Sequence, residues 1–181
     1  HGSFYGGKEQ KERERALLQF RNGTHRLLLA TDLAARGIDI PEIKFILHYH
    51  LPGRREEFTH RNGRTARMHR QGTAYILHWE NEKLPDYLPP VAAEELLAGE
   101  IPFASDWATL FISGGRKDKI SKGDIAGFFF KQGQLERGEV GIIEVKQDCA
   151  FVAVPRAKAE QLASLMNNSR LKKKKVRCKL L

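Results

Sequence analysis

Four of the chain's seven prolines lie between Asn81 and Asp106. Proline lacks the N–H that helix interiors and central strands both need, so no continuous element runs through that segment. LPDYLPPVAAEELLAGEIPF reads as a linker with one helical turn in VAAEELLA. It divides the 181 residues into two segments of domain size, expected at residues 4–80 and 107–181 around a linker at 81–106. The segments differ in charge. Residues 1–103 carry 15 Lys/Arg against 14 Asp/Glu and residues 104–181 carry 16 against 8, so almost all of the net +9 lies in the second. A basic half of this kind fits a polyanionic partner, most simply nucleic acid. No apolar run is long enough to span a bilayer, IAGFFF being among the longest, and no secretory signal opens the chain. A membrane partner is therefore not expected. Cys149 and Cys178 are not at metal-ligand spacing and read as free thiols of a cytoplasmic protein. His1-Gly2-Ser3 reads as the tail of an affinity tag and is set aside from the fold.

The first segment alternates helix and strand. EQKERERALLQFRNG places Ala16, Leu17 and Phe20 at helical spacing and stops at Gly23. RLLLATD is a continuous apolar run, as a buried parallel strand would be. IKFILHYHLP is a second strand closed by Pro52. A helix follows from about Arg54 to Arg67, then a third strand in TAYILHW. Such alternation predicts a parallel sheet with ligands at the carboxyl ends of its strands. His48 and His50 alternate on one strand, but no third metal ligand accompanies them, so packing is the expected role. The second segment reads strand (ATLFIS), helix (SKGDIAGFFFKQG), strand (VGIIEVKQ), strand (CAFVAVP), helix (RAKAEQLASLMNN) and strand (VRCKLL). This β-α-β-β-α-β order is the split arrangement used by RNA recognition modules.

Three stretches of the first segment carry further information: QKER at Gln10–Arg13, ATDLAARGIDIP at Ala30–Pro41, and HRNGRTAR at His60–Arg67. In this order and spacing they closely resemble the QxxR motif, motif V and motif VI of the second RecA-like domain of DEAD-box RNA helicases. ATP hydrolysis develops charge on the transferred phosphoryl group, and an arginine supplied by another domain stabilises it. The resemblance makes Arg64 and Arg67 those arginine fingers, three residues apart on the face of one helix. It gives His60, Arg61 and Gly63 the coupling of ATP and RNA sites, and Asp39 a contact to the ATP ribose. It gives Thr31, Arg36 and Gly37 contacts to the RNA backbone, with Arg13 on an RNA phosphate and Gln10 supporting it. The chain departs from the family's usual HRIGRTGR, with Asn62 for the isoleucine and Ala66 for the second glycine, and the finger positions stay intact. The family's His-Gly before QxxR becomes Tyr5-Gly6. No GxxxxGK[ST] loop and no Asp-Glu-Ala-Asp box occur in the chain. The resemblance places Mg²⁺-ATP mainly on a first RecA-like domain, truncates the second at its N-terminal side, and predicts no ATP turnover by this chain alone.

SGGRKDK, the SKGD helix start and the GxIxV…FVAV strand pair are similar to the C-terminal RNA-binding domain of DbpA-type DEAD-box helicases. A stacking platform would come from Phe111 and Phe151, which strand alternation points outward while Leu110, Ile112, Ala150 and Val152 point inward. A second candidate surface is basic: Arg116, Lys117, Lys119 and Lys122 after the first strand, and Lys172, Lys173, Lys174 and Lys175 before the last, two clusters that can lie on different rims. The expected whole is α/β: a partial RecA-like parallel sheet domain followed by an α+β, RRM-like βαββαβ domain. The expected function is that of the C-terminal part of an ATP-dependent RNA helicase, with a tail anchored on structured, and by resemblance ribosomal, RNA. A non-catalytic RNA-binding or protein-docking module and a DNA helicase of the same superfamily are the alternatives.

Overall fold

The computed structural model describes residues 1–32, 43–65, 72–90, 92–93, 99 and 104–181. The chain forms two compact units, one of His1–Gly2, Glu14–Leu28 and Pro102–Leu181, the other of Ser3–Arg13 and Leu29–Ile101. The helical turn expected in VAAEELLA lies largely outside the described residues.

The first elements are β1 (Gly2–Phe4), α1 (Gln10–Arg21), β2 (Leu28–Ala30), β3 (Phe45–His48), α2 (Arg55–Asn62) and β4 (Thr73–Ile76). The tag reading of residues 1–3 is corrected: Gly2–Phe4 pairs with β2, with Gly2 N–H donating to Leu27 O at 2.9 Å and Thr31 N–H to Phe4 O at 3.2 Å. Three residues are too few to show a strand period, so the sequence pattern does not reveal this element. In α1 the buried residues are Ala16, Leu18 and Gln19, with Leu17 and Phe20 only half-buried. Apolar spacing thus located the helix but not its most covered face. β3 and β4 pair in parallel from Phe45↔Thr73 to His48↔Ile76, as the alternation of helix and strand requires.

Helix α2 ends five residues earlier than its pattern suggests. Gly63 N–H donates to Thr59 O at 2.8 Å, Arg64 N–H to Arg61 O at 3.2 Å and Thr65 N–H to Asn62 O at 2.9 Å. The chain tightens out of the helix, and Thr65 bridges in parallel to Ile43. Arg64 therefore stands in a turn beyond α2, not on its face. The competing demand is the strand-like bridge, which a continued helix would have prevented.

The second half holds β5 (Trp107–Ile112), α3 (Lys122–Lys131), β6 (Ile143–Val145), β7 (Ala150–Pro155), α4 (Arg156–Met166) and β10 (Cys178–Leu180), with a hairpin of β8 (Arg170–Leu171) and β9 (Lys174–Lys175) before β10. The sheet order is β10-β5-β7-β6, every pair antiparallel. This is the expected βαββαβ order plus a hairpin hidden in the lysine run, where Lys172 adopts a left-handed φ of 54°. Leu110, Ile112, Ala150 and Val152 are fully buried and pack with Ile125 and Phe129 of α3 and Leu162 and Met166 of α4. The inward half of the strand alternation is thus confirmed. Cys149 and Cys178 are free, and burial pushes the Cys178 thiol up to about 12.

Helix α3 opens with a capping box. Ser121 Oγ accepts from Asp124 N–H at 3.2 Å, and Asp124 Oδ2 accepts from Ser121 N–H at 2.8 Å. Lys172 Nζ adds an ion pair to the same carboxylate at 2.7 Å. Chiefly through Lys172, then Ser121, the Asp124 pKa falls from 3.8 to about 2. A depressed carboxyl pKa contributes stability above its unfolded value and loses it as pH falls through the folded value. Asp124 should stabilise α3 above about pH 4 and cease to do so toward pH 2. Carboxyl NMR titration checks this: Lys172→Met should raise the Asp124 pKa toward the ordinary range, and an unchanged titration would show that Lys172 is not its principal partner.

Candidate nucleotide and RNA interface

Arg61 sits in the last turn of α2, and its planar guanidinium reaches two groups at once. Nε donates to Asp32 Oδ1 at 2.6 Å, Nη2 to Asp32 Oδ2 at 2.9 Å, and Nη1 to His50 O at 2.8 Å. A bidentate arginine–carboxylate pair fixes direction as well as distance. Asp32 belongs to ATDLAARGIDIP and Arg61 to HRNGRTAR, so two of the three diagnostic stretches are physically joined. Arg64 follows three residues later, half-buried, its backbone N–H held by Arg61 O. His60 and Gly63 are exposed beside it.

The first stretch closes on itself. Arg13 donates through Nη2 to Gln10 Oε1 at 2.6 Å, and through Nη1 to Lys8 O at 2.9 Å and Gly6 O at 3.3 Å. Thr31 is exposed at the carboxyl end of β2. Arg36, Gly37, Asp39 and Arg67 lie outside the described residues.

His48 and His50 part company despite their alternation. His48 is buried, its Nε2 2.8 Å from Asn62 Oδ1, whereas His50 is exposed and contributes its carbonyl to Arg61. Burial lowers the His48 pKa, against a smaller upward pull from Asn62. No group of three or more His, Cys, Asp or Glu among the described residues could hold a metal ion.

In the second half, Phe111 and Phe151 are direct cross-strand partners, with ring centroids 5.7 Å apart and planes at 63°. Rings so inclined cannot both lie flat against one base. Thr109, on the same face of β5, is fully buried. Its Oγ1 accepts from Asn22 Nδ2 at 3.3 Å and lies 2.7 Å from Thr24 Oγ1, while Arg21 pairs with Glu144 at 3.2 Å. Residues following α1 thus occupy part of the sheet face that the platform reading left open.

The basic clusters lie together, not on different rims. Because β10 runs antiparallel to β5, with Cys178 opposite Ile112, the carboxyl end of β5 meets the start of β10. Gly115 makes the loop possible: a Cβ there would stand 2.5 Å from Lys146 O and 2.6 Å from Gln147 O. Lys174 pairs with Asp118 at 2.7 Å, Lys172 also donates to Lys119 O at 2.6 Å, and Lys117 pairs with Asp148. Arg116, Lys119, Lys122, Lys173 and Lys175 are exposed and form no ion pair among the described residues. Sequence reasoning missed Asp32 as a partner, although it lies inside a quoted motif, and missed the acidic residues that engage half of the lysine cluster.

Comparison with known proteins accounts for both halves. Residues 1–69 match the family described as the helicase conserved C-terminal domain, and residues 109–180 match the DbpA RNA binding domain. The first of these matches includes residues 1–3. The ATP-dependent RNA helicase DbpA of Escherichia coli is 32% identical over 187 residues, covering 99% of this chain and 41% of that protein. The Bacillus subtilis protein of the same name is 28% identical over 203 residues, covering 96% and 42%. The mitochondrial DEAD-box ATP-dependent RNA helicase 9 of Arabidopsis thaliana is 42% identical over 80 residues, covering 44% of this chain and 13% of its own length. The chain spans about two fifths of the length of the two DbpA relatives. With a helicase conserved C-terminal domain at residues 1–69 followed by a DbpA RNA binding domain at residues 109–180, the chain is similar along its length to the C-terminal part of DEAD-box ATP-dependent RNA helicases of the DbpA type.

Proposed function

We propose that this chain serves as the second helicase domain and RNA anchor of an enzyme that couples ATP hydrolysis to local opening of RNA duplexes. The observation that carries the reading is the Arg61–Asp32 pair, which joins the motif V and motif VI stretches and sets Arg64 beside them. Arg64 and Arg67 act on the phosphates of Mg²⁺-ATP held mainly by a first helicase domain, and Asp39 on the ribose. Gln10, Arg13, Thr31, Arg36 and Gly37 track the RNA backbone. The exposed cations of the second half grip RNA phosphates. The match of the second half to the DbpA RNA binding domain supports RNA as the partner, and structured ribosomal RNA is the target class proposed for it.

With a first helicase domain preceding this chain, RNA-stimulated ATP turnover should fall by about 10³–10⁵ in Arg64→Ala, and the chain by itself should turn over no ATP. Turnover that survives the substitution would leave the chain a non-catalytic RNA-binding or docking module. Phosphate contacts also make affinity fall with salt. Lys122→Gln and Lys173→Gln should each weaken binding of an RNA hairpin–duplex junction and reduce the log–log salt slope by about one. Equal affinity for ribosomal and scrambled junctions would withdraw the ribosomal target while leaving the anchor.

A further inference from the structure

His48 is 2% exposed. Its ring stacks on Phe58, with centroids 4.8 Å apart and planes at 29°, and its Nε2 lies 2.8 Å from Asn62 Oδ1. Phe58 and Asn62 are four residues apart on α2, so ring and amide meet one face of that helix. With Asn62 Oδ1 as acceptor, the ring proton resides on Nε2. His48 Nδ1 is buried without a hydrogen-bond partner among the described residues. A buried imidazole that satisfies only one nitrogen is a costly way to pack a strand. Its partner Asn62, moreover, stands where the family usually writes isoleucine. The two polar side chains answer each other, and removing either one orphans the other.

The place of Asn62 gives the pair its significance. Asn62 O accepts Thr65 N–H at 2.9 Å, and Arg61 O accepts Arg64 N–H at 3.2 Å. These two carbonyls shape the turn that carries Arg64. Arg61 is fixed by Asp32 and by His50 O. Asn62 is fixed by His48. Both anchors of the turn are therefore tied to residues at the end of β3. An arginine that must meet a transferred phosphoryl group tolerates little error, since a displacement of about 1 Å can cost on the order of 10²-fold in rate.

We propose that His48 is a positioning residue for Arg64: by hydrogen-bonding Asn62 it fixes the last turn of α2 and hence the point from which Arg64 leaves the helix. The inference rests on the reading of Arg64 as an ATP-facing arginine. His48 touches no reacting atom and acts only through Asn62. The charged groups around the ring are Arg61 and Asp32. An imidazolium would bring a second N–H to the buried side where Nδ1 has no acceptor, so the neutral ring is the competent form.

The test uses this chain preceded by a first helicase domain. His48→Leu and Asn62→Ile each leave one polar group stranded, and each should lower kcat of RNA-stimulated ATP turnover about tenfold or more, with little change in KM for ATP. His48→Leu combined with Asn62→Ile removes both polar groups and should return kcat to within about threefold of the parent. His48→Gln keeps a side-chain donor and should restore part of the rate, which covers the case of a poorly folded His48→Leu. Long-range ¹H–¹⁵N spectra should show the His48 proton on Nε2 and should shift in Asn62→Ile. Strictly additive losses in the combined variant overturn the proposal. So do single variants that melt earlier but keep the parental kcat, or a His48 proton on Nδ1. In each of these cases Arg64→Ala would still abolish turnover, and the reading of Arg64 would stand. Full turnover in Arg64→Ala would remove that reading, and the proposal with it.

Discussion

One planar ion pair organises the helicase half. Arg61 and Asp32 are partly exposed, with side-chain accessibilities of 23% and 49%, so their attraction is screened and adds little to stability. The value of the pair is geometric. Two parallel N–H···O bonds define the orientation of the guanidinium, and a third bond to His50 O defines its depth. A lysine at position 61 would hold the charge but not the direction. Motif V and motif VI segments, far apart in the chain, thereby become one mechanical element. The pair ties Asp32 to the residue whose carbonyl holds the N–H of Arg64. That is the property expected of a coupler between a polynucleotide and a nucleotide.

A different constraint shapes the basic half. Antiparallel pairing of β10 with β5 brings the SGGRKDK loop and the lysine hairpin together. Asp118 and Asp124 then take up Lys174 and Lys172. Some cations thus hold the loop and hairpin, and the remainder stay exposed. The sheet face is a poorer candidate. Its two phenylalanines meet edge to face, and Asn22 and Thr24 lie over Thr109. Phosphate contacts anchor without reading sequence, so any selectivity must come from RNA shape or from bases at the margins of this cluster.

The amino-acid pattern disclosed most of the architecture. Periodicity located α1, α3, α4, β5 and β7, which are long or strongly alternating, while the three-residue β6 and β10 were marked by the longer apolar stretches VGIIEVKQ and VRCKLL around them. It failed where structure is short or decided by distant residues. β1 is three residues long. The β8–β9 hairpin lies in a run of lysines with no apolar period. Helix α2 stops at Asn62 because Thr65 bridges to Ile43, a contact that no local signal announces. For the site, the motifs located Arg61 and Arg64 but gave no hint that Asp32 is the partner of Arg61. His48 was read as packing, which is true of its ring but not of its hydrogen bond. Side-chain chemistry could be inferred one residue at a time, whereas partnerships depend on the folded chain.

The central claim is that the Arg61–Asp32 pair couples RNA to ATP, and a double-mutant cycle on RNA-stimulated ATP turnover addresses it directly. Asp32→Asn and Arg61→Lys would be examined singly and together, across a range of RNA concentrations, with a first helicase domain preceding this chain. If the pair is the coupler, each substitution weakens the stimulation by RNA, and the two together do no more damage than the worse one alone. Additive losses, or undiminished stimulation by RNA in either single variant, would contradict the account.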